Sequence, residues 1–215
     1  MAKCPRKMFQ NLTPVVRALL YTNFIVYLLQ RLTGLGAPLL WEFALWPPGA
    51  GPRGDAPAFE PWQIVTYAFL HDPRNWMHLL SNMFALLIFG PETERLLGSR
   101  RFTLYYFVCV VGAALTQLIV VSRTPDAGPT MGASGGIFGI LLLFGLAFPS
   151  RTILLYFALP MPAWLFVTLY GLLELSLGVF GGSSAIAHFA HLGGMAAGAA
   201  LILFWRNRLH IGRNR

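Results

Sequence analysis

The chain alternates long apolar segments with short polar connections, which is typical of a helical membrane protein. Five segments approach the roughly 20 apolar residues that cross the hydrocarbon layer as a helix, and a sixth is preceded by Pro160 and Pro162. We therefore predict an all-α polytopic membrane protein, with six transmembrane helices in one domain over residues 1–215. The predicted spans cover residues 14–30, 76–96, 102–121, 133–148, 163–179 and 187–205.

Composition and charge support this interpretation and orient the chain. Hydrophobic residues make up 56% of the sequence and charged residues only 11%, against about 25% charged in a typical soluble domain. By the positive-inside rule, the basic connections and both termini are predicted to be cytoplasmic. The net charge of +8 then indicates contact with anionic lipid headgroups and not with nucleic acid. The basic residues concerned are Lys3, Arg6, Lys7, Arg95, Arg100, Arg101, Arg151, Arg206, Arg208, Arg213 and Arg215.

The connection between the first and second spans is long and rich in glycine and proline. It runs over residues 32–61 and includes Trp41 and Trp46, with Trp62 just after it. Tryptophan prefers the headgroup level of a bilayer. We predict that this first outer loop lies on or partly within the outer leaflet and forms no separate soluble domain.

Polar side chains begin three of the predicted spans. In the predicted topology the second, fourth and sixth spans all run inward, so their N-terminal turns share the outer end. His78 and Asn82 begin the second span, Ser134 the fourth, and His188 and His191 the sixth. His78 and Asn82 are four residues apart and therefore share a helix face. Because polar groups at membrane depth are costly, their convergence predicts a functional site at this end.

Small residues accompany the serine and the histidine. Gly135 and Gly139 follow Ser134, and Gly194 lies three residues after His191. Small residues at such spacings let membrane helices approach closely. We therefore predict that the fourth and sixth spans pack backbone to backbone and bring the serine hydroxyl within roughly 2.6–3.2 Å of an imidazole.

Two further titratable residues are not part of this prediction. His71 precedes the second span, and we interpret it as a loop-packing residue. Glu174 lies in the fifth predicted span as a candidate buried carboxyl group, and the sequence assigns it no role.

Three motifs carry a family resemblance. Residues 132–135 read Gly-Ala-Ser-Gly and are similar to a GxSG nucleophile motif, and residues 190–194 read Ala-His-Leu-Gly-Gly and are similar to an AHxxG base motif. Residues 78–82 read His-Leu-Leu-Ser-Asn and match an HxxxN oxyanion element. On these motifs the chain resembles the rhomboid intramembrane serine proteases over nearly its whole length, which implies a rhomboid-like six-helix bundle.

Other positions follow the family pattern or depart from it. Residues 94–99 resemble the family's turn after the second span. Trp62 matches the tryptophan of a Trp-Arg motif in the first loop, but Gln63 replaces the arginine. Phe138 lies where some members carry a tyrosine that stacks on the catalytic histidine.

The resemblance implies a catalytic pair. Ser134 is expected to be the nucleophile and His191 the general base, with no acid completing a triad. No aspartate or glutamate lies within either motif. His188 is a competing base, but the Leu-Gly-Gly that follows His191 favours His191.

The resemblance also implies an oxyanion site. Its donors are expected to be the backbone N–H of Ser134 and the side chains of His78 and Asn82. The motif glycines that support the site are Gly132, Gly135 and Gly194.

The implied substrates are transmembrane segments of other membrane proteins, which unwind near their outer end and enter laterally past the fifth span. The expected partners are thus such substrates and the lipid bilayer, and neither cofactor nor metal is expected. A short chain of this kind suits a bacterial cytoplasmic membrane.

Three alternatives stay open at this point. A metal hydrolase would use His71, His78, His188 and His191 as ligands, although the chain has no H-E-x-x-H pattern. A catalytically silent rhomboid-like protein would bind membrane clients on the same fold. A transporter would place its polar groups near the bilayer midplane in inverted repeats, and the sequence has neither.

Overall fold

The computed structural model describes residues 12–48, 57–122, 128–155, 159–180 and 185–205. The basic residues at both termini, on which the predicted orientation depends, lie outside these ranges. Residues 49–56 of the predicted first outer loop also lie outside them. The cytoplasmic placement of the termini and the position of that loop in the outer leaflet therefore stay predictions.

A helix occupies each predicted span, which confirms the helical part of the prediction. Two shorter helices and a 3₁₀ turn at Tyr67–Phe69 lie between the first two long ones. In chain order the helices are α1 (Pro14–Leu32), α2 (Gly36–Phe43), α3 (Gln63–Thr66), α4 (Trp76–Leu97), α5 (Ser99–Val121), α6 (Ser134–Ala147), α7 (Ala163–Phe180) and α8 (Ala185–Trp205).

Three of the described helices are long and apolar enough to cross a membrane. They are α5, α7 and the His188–Trp205 part of α8, whereas α6 is apolar but shorter. The chain thus has the helices of a membrane protein, and the count of six spans stays a prediction.

A β-hairpin between α6 and α7 is a feature that the sequence analysis did not predict. Strands β1 (Thr152–Leu155) and β2 (Leu159–Pro162) pair antiparallel, with Thr152 opposite Pro162. The two prolines that precede the fifth predicted span lie in β2. They are tolerated there because some backbone N–H groups of an edge strand point away from the partner strand and form no hydrogen bond within the sheet.

Helix α5 lies at the centre of the bundle and packs most extensively against α8. Its side chains Phe102, Tyr105 and Tyr106 have no exposed surface. The Tyr105 hydroxyl donates to the carbonyl oxygen of Gly139 at 2.8 Å. This bond joins α5 to α6 five residues after Ser134. It therefore fixes the position of α6 along the axis of the central helix.

A buried carboxylate holds α1 against the turn between α4 and α5. Glu94 is only 1% exposed, and its Oε1 accepts from the backbone N–H of Val15 (3.1 Å) and the hydroxyl of Ser99 (2.6 Å). Its Oε2 accepts from the N–H of Val16 at 2.9 Å. A negative charge is favourable at the N-terminus of a helix, where backbone N–H groups lack partners. Residues 94–99 therefore anchor the first helix.

We expect Glu94→Gln to lower the free energy of unfolding by about 1.5–3 kcal/mol, because a charged acceptor of buried hydrogen bonds is lost. The matched control is Glu92→Gln in the same helix. The Glu92 side chain is 34% exposed and pairs with Arg151 at 2.9 Å, a surface contact worth less than about 1 kcal/mol. Unfolding of both variants in mixed micelles measures the difference, and equal losses would contradict this account of Glu94.

Candidate active site

Ser134 is the first residue of α6, and the backbone before it is shaped by Gly132. This glycine has a φ of +128°, a conformation that costs other residues strain. Its N–H donates to the carbonyl oxygen of Tyr67 at 3.0 Å. A Cβ at Gly132 would come within 2.8 Å of His78 Nε2. The position therefore requires glycine both for its conformation and for the close approach of His78.

His191 meets Ser134 across the bundle. Its Nε2 lies 2.8 Å from the Ser134 Oγ, within hydrogen-bonding distance and within the range that the sequence analysis predicted. Ser134 and His191 are partly buried, so the pair lies at the edge of the packed helices. The arrangement places a hydroxyl beside a base that can remove its proton.

The predicted close packing of α6 and α8 is confirmed. A Cβ on Gly194 would collide with the backbone carbonyl oxygen of Gly135, and one on Gly139 would collide with Cys109 Sγ. The Gly139 Cβ position is also 3.5 Å from the carbonyl oxygen of Gly194. The helix backbones thus lie in contact directly beside the serine and histidine.

An aromatic ring supports one face of the His191 imidazole. The Phe138 ring stacks on it with centroids 4.2 Å apart and planes inclined by 7°. Tyr170 of α7 also stacks on Phe138, at 5.1 Å and 22°. The phenyl ring therefore occupies the stacking position that the family resemblance indicated.

Glu174 adds a carboxylate to the site, which corrects an expectation from the resemblance. No acid was expected beside the pair, and Glu174 had no assigned role. Its Oε2 lies 2.8 Å from His191 Nδ1 and 2.7 Å from His188 Nδ1. The expectation failed because Glu174 lies on α7, 17 residues before His191, where no local motif marks it. The available signal was its charge within an apolar helix.

His78 is aimed at the same region by its backbone surroundings. The N–H of Asp72 donates to His78 Nδ1 at 3.4 Å. Since a neutral imidazole carries one proton, this bond assigns it to Nε2. Nε2 faces the Gly132 backbone just before Ser134. Asp72 is a contributor that the sequence analysis missed, because its contact with His78 is made by a backbone N–H, which no side-chain motif marks.

Asn82 is buried one turn below His78, as the four-residue spacing predicted. Its Nδ2 donates to the carbonyl oxygen of His78 at 2.7 Å. This bond uses one of the two amide protons, and the second is left for another acceptor. Within the described part of the chain, the Asn82 side chain forms no hydrogen bond with Ser134.

His71 packs the loop before α4, in agreement with its prediction. Its backbone N–H donates to Gln30 Oε1, and its carbonyl accepts from Gln30 Nε2, both at 3.1 Å. Its ring lies 5.1 Å from that of His78. Burial, followed by the neighbouring His78, lowers the pKa of His71 to about 3, so this ring is neutral at physiological pH.

Gln63 takes part in the first-loop contacts at the position where the family pattern has arginine. It is 1% exposed, its Oε1 accepts from the N–H of Trp46 at 3.2 Å, and its Nε2 donates to the carbonyl of Glu42 at 3.3 Å. Next to Trp46, Leu45 pairs with Thr130 through a β-bridge. The first loop is therefore attached to the segment that leads into Ser134.

The four histidines of the metal alternative fall into two pairs. His71 packs against His78, while His188 and His191 converge on Glu174. The described side chains that could together hold a metal ion are Glu174, His188 and His191, whose ligand atoms lie within 4.8 Å of one another.

The Rhomboid domain family model matches residues 58–208, which include Ser134, His191, Glu174, His78 and Asn82. The chain belongs to the rhomboid family. This rhomboid chain is 36% identical over 104 residues to Rhomboid protein 1, mitochondrial, of Saccharomyces cerevisiae. The aligned region covers 47% of the chain and 30% of that protein.

Further relatives come from plants and bacteria. Rhomboid-like protein 11, chloroplastic, of Arabidopsis thaliana is 33% identical over 151 residues, 67% of the chain and 52% of that protein. Rhomboid protease GlpG of Klebsiella pneumoniae is 29% identical over 212 residues, 95% of the chain and 67% of that protein. The chain thus spans 30% and 52% of the lengths of the yeast and Arabidopsis relatives. Because the names of these relatives include mitochondrial and chloroplastic forms, the bacterial cytoplasmic membrane stays a prediction.

We expect Gly194→Ala to lower the free energy of unfolding by about 1–3 kcal/mol, because the added methyl group forces α8 away from the Gly135 carbonyl. The matched control is Gly171→Ala in α7, where a Cβ would lie 3.6 Å from Met195 Cε, an ordinary contact. Thermal unfolding of both variants in the same detergent tests this, and a Gly194 variant as stable as the control would refute the tight contact.

Proposed function

We propose that this rhomboid chain is an intramembrane serine endopeptidase that cleaves transmembrane segments of other membrane proteins. The observation that carries the proposal is the 2.8 Å approach of His191 Nε2 to Ser134 Oγ, near the N-terminal ends of two packed apolar helices. The family membership supports it, because a relative that covers 95% of the chain is named a rhomboid protease.

The proposed chemistry begins with proton transfer from Ser134 Oγ to His191 Nε2 as the oxygen attacks the scissile carbonyl carbon. Collapse of the tetrahedral intermediate breaks the C–N bond, and the imidazolium returns the proton to the leaving amine. A water molecule then attacks the acyl-enzyme, again with His191 as the base. The proton thus moves only between Nε2 and the reacting atoms.

The proposed oxyanion site uses three donors around the beginning of α6. The backbone N–H of Ser134 is among the first four of the helix, which have no intrahelical partner. The Nε2–H of His78 points toward the Gly132 backbone beside it, and Asn82 has its second amide proton. Loss of one such donor typically costs about 2.7–4 kcal/mol of transition-state stabilisation.

We further propose that the helices α1 and α4 to α8 all span the membrane, with both termini in the cytoplasm and the site open to the outer side. The basic connection around Arg95, Arg100 and Arg101 supports this orientation by the positive-inside rule. Helix α6 has only 14 residues, about 21 Å at 1.5 Å per residue. Ser134 therefore lies below the membrane surface, in a position that water reaches from outside.

A lateral path for the substrate is proposed between α4 and α7. An apolar cavity of about 450 Å³ lies there, lined by Phe84 and Ile88 of α4 and by Leu169 and Leu173 of α7. A helical substrate shields its carbonyls through its own hydrogen bonds. The segment must therefore unwind on the way from this groove to Ser134.

The catalytic pair is tested with Ser134→Ala and His191→Ala, compared with Ser176→Ala, an exposed serine of α7 that donates only to its own helix. We expect both site variants to lose cleavage of a generic transmembrane substrate, and Ser134→Ala also to lose labelling by a fluorophosphonate. Gel analysis of purified protein in detergent measures both. A wild-type chain that neither cleaves nor becomes labelled would favour the client-binding alternative.

The lateral path is tested by a crosslink between α4 and α7. The rings of Phe89 and Phe166 stack with centroids 6.2 Å apart, so cysteines at these positions can be joined by a short bifunctional reagent. We expect the crosslinked protein to lose cleavage of a membrane substrate but to keep fluorophosphonate labelling of Ser134. The uncrosslinked double variant is the control, and full cleavage by the crosslinked form would exclude this path.

A further inference from the structure

Glu174 is a buried carboxylate that the proposed pair mechanism does not use. It is 4% exposed and lies in α7, one of the helices apolar enough to cross a membrane. A carboxylate in such a place is costly unless donors compensate its charge. Two imidazole nitrogens do so, since the Nδ1 atoms of His188 and His191 lie 2.7 and 2.8 Å from the same oxygen, Oε2.

These contacts determine where the ring protons lie. An ionised carboxylate only accepts hydrogen bonds, so the Nδ1 atoms of both histidines carry protons. A neutral imidazole has one N–H, and Nε2 of His191 is therefore left with a free lone pair. The Ser134 hydroxyl, 2.8 Å away, donates to that lone pair, which is the arrangement that general-base catalysis needs.

We propose that Glu174 is a positioning residue for catalysis, which orients His191 and holds its Nε2 as a proton acceptor, and that His188 is the second donor that keeps Glu174 in place. This inference rests on the proposed function, and it extends the serine–histidine pair to a chain of four residues. Glu174 touches neither the substrate nor the reacting atoms, so its effect passes entirely through His191.

The charge of Glu174 also acts when His191 takes up the serine proton. The imidazolium that forms then lies against a carboxylate that is only 4% exposed, so their attraction is stronger than it would be in water. Glu174 keeps its charge throughout, and the Nδ1 proton stays on His191. The carboxylate thus stabilises the protonated base without receiving a proton itself.

Three contacts hold the His191 ring from different directions. Phe138 covers one face at 4.2 Å, Ser134 contacts Nε2, and Glu174 contacts Nδ1. Stacking alone would still allow the ring to flip by 180° about the Cβ–Cγ bond, which would exchange Nε2 with Cε1 beside the serine. The contact of Nδ1 with Glu174 favours one of these two orientations, and Glu174 is therefore the group that presents Nε2 to Ser134.

A metal ion on the same three side chains would have the opposite consequence. Coordination of a cation by Nδ1 of His191 would leave the ring proton on Nε2, which could then accept nothing from Ser134. The distances of 2.7 and 2.8 Å to Oε2 are hydrogen-bond lengths and favour the proton-mediated arrangement. A chelator separates the two possibilities.

The test compares Glu174→Gln and Glu174→Leu with Ser176→Ala, two residues further along α7. In the purified protein we expect kcat for a transmembrane substrate to fall by about 10²- to 10⁴-fold in the Glu174 variants, as for the orienting acid of other serine proteases, with KM little changed. Ser176→Ala should behave as wild type. Glu174→Leu should lose some thermal stability, because two imidazole donors lose their acceptor, whereas Glu174→Gln keeps an amide oxygen as acceptor, so kcat of both variants is measured on folded protein.

Ring-nitrogen NMR of ¹⁵N-histidine-labelled protein provides a readout that a purely structural role would not change. We expect a protonated Nδ1 and an unprotonated Nε2 at His191 in the wild type, and a mixture of the two forms in Glu174→Leu. His188→Phe should lower kcat in the same direction but by less, and His188→Gln, which restores an N–H donor, should recover part of the loss.

The outcomes separate this inference from the proposed function. A wild type that cleaves and is labelled, with Glu174 variants of unchanged kcat and unchanged His191 spectra, overturns the inference and leaves the proposed function standing. A wild type whose labelling rises after chelation overturns it in favour of a metal ion on these three side chains. A wild type that shows neither cleavage nor labelling contradicts the proposed function, and the positioning role of Glu174 is then rejected as well.

Discussion

The contact between the backbones of α6 and α8 is the constraint on which the site depends. A serine side chain is short, so its oxygen reaches an imidazole on another helix only where the two helices touch. Gly135 and Gly194 permit that contact, because neither carries a Cβ that would keep the backbones apart. Tyr105 of the central helix fixes α6 through the Gly139 carbonyl. The same packing therefore sets the distance between Ser134 and His191 and the position of Ser134 along the helix axis.

The apolar surroundings make each polar group at this end depend on its neighbours. His78 receives an N–H from the loop backbone at Asp72, and Gln30 bonds both backbone groups of His71 in that loop. Glu174 is matched by two imidazoles. In a medium that offers few other partners, such bonds hold side chains in one orientation. These hydrogen bonds preorganise the side chains that carry them.

Aromatic rings connect the base with the proposed lateral path. From His191 the stack passes through Phe138 and Tyr170 to Phe166 and Phe89, with successive centroid distances of 4.2, 5.1, 5.6 and 6.2 Å. Tyr170 and Phe166 lie on α7, the helix that also carries Glu174. A displacement of α7 by an incoming segment would therefore act on both the face and the edge of the His191 ring. In the proposed mechanism, substrate entry and the geometry of the base would thus be linked through one helix.

The sequence by itself determined the positions of the long helices, because length and apolar character are local properties. It also determined that Ser134, His191 and His78 belong to one site, since their motifs stand at the N-terminal turns of the predicted spans. Only the tertiary structure placed Glu174 at His191 and formed the β-hairpin from the segment around Pro160. Which face α7 turns toward α8 depends on the packing of two helices, and no pattern within either helix encodes that rotation.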